Sequence, residues 1–284
     1  GQNYMYDMQN IEVQFDEDAR TVVVTNSIEG TTFDLPKIAR DNYSFEGYKS
    51  KNKLYAPDYV SDKIEVEVLL DDVLTDGTFV LNGNWKGVET SFVFDLQNGE
   101  RKTVTAVYGT KLVAEISKLS TGYMAVTIRK FIGLEPVLSF EFAKEGYNYV
   151  GMSARSDGEN ELGGVLSEFV LNNAFLDMLA DDNGAKTIYA CWEIKIVTAT
   201  FVLSGGILEI DGENITGQYE TKTTYGGSIY LPSRDLSKFV REGYYFDGWF
   251  NNSNFNGNAV CDFDTEQLVL TSDITLFAKW NEIV

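Results

Sequence analysis

The sequence predicts an α+β, strand-dominated protein of three tandem modules, spanning residues 1–87, 88–194 and 195–284. Three observations carry that expectation. A glycine–aromatic block occurs three times, as Asn42-Tyr43-Ser44-Phe45-Glu46-Gly47-Tyr48, Gly146-Tyr147-Asn148-Tyr149-Val150-Gly151-Met152 and Gly243-Tyr244-Tyr245-Phe246-Asp247-Gly248-Trp249. Each block is followed by an apolar segment closing on a tryptophan, at Trp85, Trp192 and Trp280. Each is preceded by a segment in which apolar and polar residues alternate. Recurrence on this scale marks modules that space or bind rather than catalyse.

The elements follow in the same order in each copy. Ile11, Val13 and Phe15, then Phe92 and Phe94, then Ala199, Phe201 and Leu203 alternate with polar residues, the period of a strand with one buried face. Turns are expected at Glu17-Asp18, Asn98-Gly99 and Ser204-Gly205-Gly206, and Asn-Gly is the strongest hairpin signal among them. Return strands follow at 22–25, 103–108 and 218–224. In copies one and three the chain then reaches Leu35-Pro36 and Leu231-Pro232, where the residue before proline stays extended. Asp235–Arg241 reads as a short helix with Leu236, Phe239 and Val240 on one face and Ser233 or Asp235 at its cap. The middle copy is longer, with extra material at 113–136 and 155–182. Within it, Leu166, Phe169, Val170, Phe175 and Met178 lie near helical spacing, so a helix is expected over 165–179. The aromatics of the repeated block favour a strand, and its glycines suit a turn or a close backbone approach. With four prolines and no Pro/Ser-rich stretch, the modules should abut through short joints near Gly87 and Glu193–Lys195.

Composition narrows the chemistry. Twenty-three basic residues against 43 acidic ones give a net charge of −20, which repels nucleic acid, anionic lipid and heparin-like partners. The chain has no histidine, so the commonest general base and metal ligand is missing and Ser-His-Asp or Cys-His catalysis is excluded. Cys191 and Cys261 fall in different modules, too few for a four-cysteine zinc site; a disulfide between them is disfavoured, since a disulfide framework shows an even set at close spacing, and Cys261 reads as a buried thiol. No 18-residue apolar run is present, so no membrane insertion is expected within the segment. The chain opens on Gly1-Gln2 without a signal-peptide pattern, which reads as a processed or excised segment.

Candidate sites are few. Tyr123, Tyr147 and Trp249 are the proposed ligand contacts, because exposed aromatics stack on sugars or anchor proteins; against this, Trp249 and its neighbours suit a module core. Carboxylates cluster at Asp16-Glu17-Asp18, Asp71-Asp72 and Asp181-Asp182-Asn183. Glycoside hydrolysis needs two acids across a cleft, which adjacency in a turn does not provide. Asp181–Asn183 and Asp211-Gly212-Glu213-Asn214 offer oxygen ligands for calcium but lack the alternating EF-hand spacing, so solvated turns are the favoured reading. No catalytic residue, metal site or cofactor is assigned.

The third copy resembles the Listeria–Bacteroides repeat, also called the internalin B-repeat family. The resemblance rests on Tyr225-Gly226, Ile229, Leu231-Pro232, Glu242 to Phe250, and Leu270 to Trp280. The second copy resembles it through Phe94-Asp95, Asn98-Gly99, Tyr108-Gly109-Thr110, its glycine–aromatic block and Trp192, with Met152 at the position of Trp249. The first has Asn42 for the opening glycine and Tyr48 for the tryptophan. The resemblance implies small β-grasp-like modules on bacterial surface proteins, working as stalks and adhesion modules with no catalytic residues. The expected function is therefore that of a non-enzymatic, extracellular repeat region of a bacterial cell-surface protein, meeting a host or matrix protein or a glycan. The alternative is a dedicated carbohydrate- or protein-binding module centred on the enlarged middle domain. Its sign would be exposed aromatics of 123–169 gathered on one surface.

Overall fold

The computed structural model describes residues 2–5, 12–16, 21–25, 29–58, 60–262 and 264–284, with backbone alone for the first two ranges. Strands dominate. Among the described residues, α-helix is confined to the single turns Gly163–Leu166 and Asn173–Leu176. The expected turn at Glu17-Asp18 and the residue Ile11 lie outside the described residues.

Alternation places the core. Phe92 and Phe94, then Ala199, Phe201 and Leu203, are all fully buried. Buried apolar side chains gather into three clusters, drawn from residues 22–81, 92–190 and 197–278.

Each glycine–aromatic block is a strand, Tyr43–Lys49, Tyr147–Ser153 and Tyr244–Phe250. Each pairs antiparallel with the tryptophan-containing strand of its copy, Phe79–Gly87, Ala185–Ile194 and Ile274–Glu282. In all three the register slips at the same place, between Phe45 and Gly47, Tyr149 and Gly151, and Phe246 and Gly248. In the first and third bulges the glycine is explained by what lies beside it. Gly47 has φ +125°, and a Cβ there would sit 2.1 Å from the Tyr55 carbonyl oxygen. Gly248 has φ +142° and meets the Cys261 carbonyl at 3.0 Å. Only glycine tolerates both that conformation and that approach.

The second and third copies share a sheet order. Their opening hairpins are Glu89–Asp95 with Arg101–Val107, and Ile196–Ile210 with Glu213–Thr224. In both, the opening strand lies parallel to the closing strand, Ile188 opposite Phe94 and Leu276 opposite Phe201. The first copy differs. There the return strand Thr21–Thr25 meets the closing strand, antiparallel, and Gln2–Met5 with Glu12–Asp16 extend the sheet beyond it. The bulged pair thus recurs three times, and the complete sheet order recurs twice.

Three local expectations are corrected. The hairpin turn of the third copy is Asp211-Gly212, both at positive φ (50° and 83°), as a tight primed turn requires. Ser204–Gly206 instead form a bulge inside the long strand Ile196–Ile210. Gly206 is bare because the Trp280 ring packs on it, where a Cβ would lie 2.5 Å from the ring. The expected helix Asp235–Arg241 is absent: Asp235 Oδ1 accepts from the Ser237 N–H and hydroxyl, as a helix cap would, but the chain goes extended beyond it. Phe239–Val240 then pairs with Ile207 and Leu208. The expected helix over 165–179 is broken in two by Phe169–Val170, which pairs with Lys111 and Leu112. Asn172 caps the second turn by accepting from the Phe175 N–H at 3.0 Å.

The extra material at 113–136 belongs to a meander, Lys111–Lys118, Met124–Lys130 and Pro136–Phe142, edged by Phe169–Val170.

Candidate functional site

The arrangement that recurs outside the cores is where one buried cluster gives way to the next. The connection is a single residue in both cases, Val88 between Phe79–Gly87 and Glu89–Asp95, and Lys195 between Ala185–Ile194 and Ile196–Ile210. Neither residue is free to turn. The Val88 N–H donates to the Asn42 carbonyl at 3.0 Å, and its carbonyl accepts from the Tyr108 N–H at 2.8 Å. The Lys195 N–H donates to the Gly146 carbonyl at 2.8 Å, and its carbonyl accepts from the Tyr225 N–H at 2.8 Å. Asn42 and Gly146 open their glycine–aromatic blocks; Tyr108 and Tyr225 each begin a Tyr-Gly turn of the following copy.

The tyrosine rings act as wedges. Tyr108 meets Tyr43 edge-on, centroids 5.2 Å apart at 85°. Its hydroxyl accepts from the Asn173 N–H at 2.9 Å, and the Asn42 side-chain amide donates to Asn173 Oδ1 at 3.0 Å. Tyr225 lies flat on Gly146, where a Cβ would come within 2.4 Å of its ring. Its hydroxyl donates to Glu145 Oε1 at 2.6 Å. A cation covers the block's own first tyrosine in every copy: Arg40 at 4.0 Å from the Tyr43 ring, Lys144 at 4.4 Å from Tyr147 and Arg241 at 3.9 Å from Tyr244.

The Glu145 carboxylate pushes the Tyr225 hydroxyl above its ordinary pKa of 10.0, because the neutral hydroxyl donates and the phenolate would face an anion. A pKa raised in the docked state gives a contribution that is complete below pH 10 and lost as pH rises through the raised value. The second joint is therefore expected to loosen at strongly alkaline pH. Glu145→Gln should bring the ultraviolet titration of Tyr225 back toward that of an exposed tyrosine.

The three proposed ligand contacts do not converge. Tyr123 is half exposed in the turn before Met124–Lys130. Tyr147 is half-buried and lines a cleft of about 230 Å³ with Lys118, Met124, Phe142, Tyr149 and Trp192. Trp249 is fully buried, a correction to its candidacy: it stacks on Phe239 (5.3 Å, 13°) and donates from Nε1 to the Ser233 hydroxyl at 2.9 Å. The same inward role falls to Tyr48, whose hydroxyl donates to the Pro36 carbonyl, and to Met152. The indoles of Trp192 and Trp280 bond the equivalent carbonyls of Leu96 and Leu203, at 2.8 and 2.9 Å.

The cluster Asp16-Glu17-Asp18 lies outside the described side chains; members of the other clusters are engaged locally. Asp72 is buried and accepts from Ser50 and Asn52. Asp182 pairs with Arg101 at 3.0 Å, and Asp181 accepts from the Gly184 N–H at 3.0 Å. Asp211 occupies the hairpin turn. Among the described residues, no three carboxylate or thiol side chains converge as a metal-binding group. Both cysteines are free, and burial pushes their thiols up, away from the thiolate.

Two features escape the sequence reading. The exposed apolar turn Phe131-Ile132-Gly133-Leu134 leaves Ile132 85% accessible, signalled only by three apolar residues around a glycine. The joint tyrosines are visible as Tyr-Gly dipeptides, but their partners are not.

Residues 198–279 match the family described as the Listeria-Bacteroides repeat domain, which is one copy of it. Two relatives from Evansella cellulosilytica are similar to parts of the chain. One, labelled a membrane protein, is 31% identical over 96 residues, 33% of this chain and 12% of the relative. The other, labelled a Gly-rich membrane protein, is 24% identical over 139 residues, 48% of this chain and 13% of the relative. The chain therefore spans only about an eighth of either relative's length. No solved structure gives a significant match. Among the described residues, no helix is long and apolar enough to cross a membrane.

Proposed function

We propose that this chain is a non-enzymatic, extracellular repeat region of a bacterial cell-surface protein, a stalk of three modules, 1–87, 88–194 and 195–284, that contributes reach and adhesion. The observation that carries the reading is the repeated joint. One residue links neighbours, both its backbone groups are bonded across the joint, and a tyrosine fills the angle. Bending such a joint breaks two hydrogen bonds and exposes a ring, whereas a Gly/Ser linker bends freely. The repeat-family match and the membrane-protein labels of the relatives support a surface location. The charge of −20 supports a stalk that resists self-association.

Trypsin tests the joint directly, since Lys195 is exposed in side chain but bonded on both sides in backbone. Cleavage after Lys195 should be slow in the native chain and fast in Tyr225→Ala. Equal rates in the two proteins would count against a locked joint.

A second reading, binding by the middle module, is favoured by the Tyr147 cleft and the apolar turn 131–134. The sign expected for it is weak: Tyr123 and Phe131 flank Met124–Lys130 at opposite ends, roughly 25 Å apart at a strand's rise. A glycan array with and without calcium decides. A sugar class lost on Tyr123→Ala or Tyr147→Ala would make this module a lectin-like adhesin. A blank array turns the search to host or matrix proteins.

A further inference from the structure

The third module repeats, at its far end, every element of the joint except the wedge. Arg241-Glu242-Gly243-Tyr244 stands where Lys144-Glu145-Gly146-Tyr147 stands in the second module. The backbone is the same, with φ +80° at Gly243 and +76° at Gly146. The Ile283 N–H donates to the Gly243 carbonyl at 2.9 Å, as Lys195 donates to Gly146 and Val88 to Asn42. What differs is cover. Gly146 is buried under Tyr225, whereas Gly243 is exposed, with nothing within 4 Å of where its Cβ would be.

We propose that Glu242, Gly243 and Ile283 form an open socket for the tyrosine–glycine turn of a further module of this kind, entering directly after Val284. The inference rests on the stalk reading and names the surface by which that stalk is extended. The ring would lie flat on Gly243, its hydroxyl would donate to Glu242, and its N–H would donate to the Ile283 carbonyl. A module in covalent continuity is the favoured occupant, because at both filled joints the strand leaving the joint residue delivers the wedge at high effective concentration. A second copy of this chain fits poorly. Tyr108 and Tyr225 are already engaged, and the equivalent turn of the first module is Glu29-Gly30, which would set a carboxylate against Glu242.

The test is the full chain with a second copy of residues 197–284 placed straight after Val284, which restores the register found at Ile196-Val197. Two samples are prepared, one with only the appended copy isotopically labelled and one with only residues 1–284 labelled, and amide exchange is read by NMR at the tyrosine of the appended Tyr-Gly turn and at Tyr225. The expected result is protection comparable to that of Tyr225, reduced about ten-fold or more by Gly243→Ala. Glu242→Ala, a change at an exposed side chain, should weaken it without disturbing the fold of the unextended chain. An appended tyrosine that exchanges freely while Tyr225 stays protected overturns the socket and leaves the stalk. Free exchange at both tyrosines sinks the stalk reading and the socket together. Concentration-dependent dimerisation of the unextended chain, abolished by Gly243→Ala, assigns the face to a second copy and overturns the occupant argued here.

Discussion

Replacing Trp249 with alanine is expected to strip the C-terminal third of the chain of most of its stability while the other two cores keep theirs. Trp249 is fully buried and is the centre of its cluster, 4.8 Å from the Phe201 ring and 5.3 Å from both Phe239 and Phe246. Truncating a buried tryptophan costs about 3–5 kcal/mol, against a typical domain stability of about 5–15 kcal/mol. The Ser233 hydroxyl, itself buried, also loses its donor, for about 1 kcal/mol more. Because the buried clusters are separate, the loss should stay within 197–278. Urea titration of the variant should show an early transition confined to amides of that range, followed by the wild-type transitions of the rest. A single transition that shifts as a whole would mean that the three cores unfold as one.

The second large effect is expected from Gly146→Ala, and it should be of another kind. The substitution places a Cβ in a left-handed backbone, at a cost of about 1–2 kcal/mol, and drives it within 2.4 Å of the Tyr225 ring. The ring comes from beyond Lys195 and is held by one hydroxyl bond, so it is the element that gives way. The joint should open with both cores intact, and tryptic cleavage after Lys195 should rise to the rate seen with Tyr225→Ala. Gly243→Ala supplies the comparison: its backbone is the same and its Cβ meets nothing, so it should cost the backbone strain alone. Equal joint behaviour in the two variants would show that Tyr225 does not brace the second module against the third.

Much of this was legible in the chain. The alternation at Phe92, Phe94, Ala199, Phe201 and Leu203 names the buried strand faces, because period two has no other economical explanation. The glycine of the first and third aromatic blocks announces a close approach, and the bulge beside Tyr55 and Cys261 is that approach; Gly151 of the second block meets only the end of the Glu161 side chain, at 4.0 Å. Errors arose where local signals competed. Ser204-Gly205-Gly206 reads as the hairpin turn and Asp211-Gly212 only as a solvated turn, although Asp-Gly is a strong primed-turn signal; a glycine bared for a tryptophan ring looks the same in sequence as one bared for a turn. Helical spacing over 165–179 was overruled by the pairing of Phe169–Val170 with a strand far earlier in the chain. Trp249 could be read as a ligand contact or as core, and only its burial decides. The joints were legible in place, as short connections near Gly87 and Glu193–Lys195 and as Tyr-Gly dipeptides, but their partners were not, since Tyr225 and Glu145 are 80 positions apart.

The most direct test of the account is a set of backbone residual dipolar couplings measured on the intact 284-residue chain in a weakly aligning medium. If the single-residue joints hold their neighbours as a stiff stalk, amides from the second and third modules will fit one alignment tensor of one magnitude. Two tensors of different magnitude, with one module's couplings scaled down by motion, would show that the chain bends at Lys195 and would contradict the stalk.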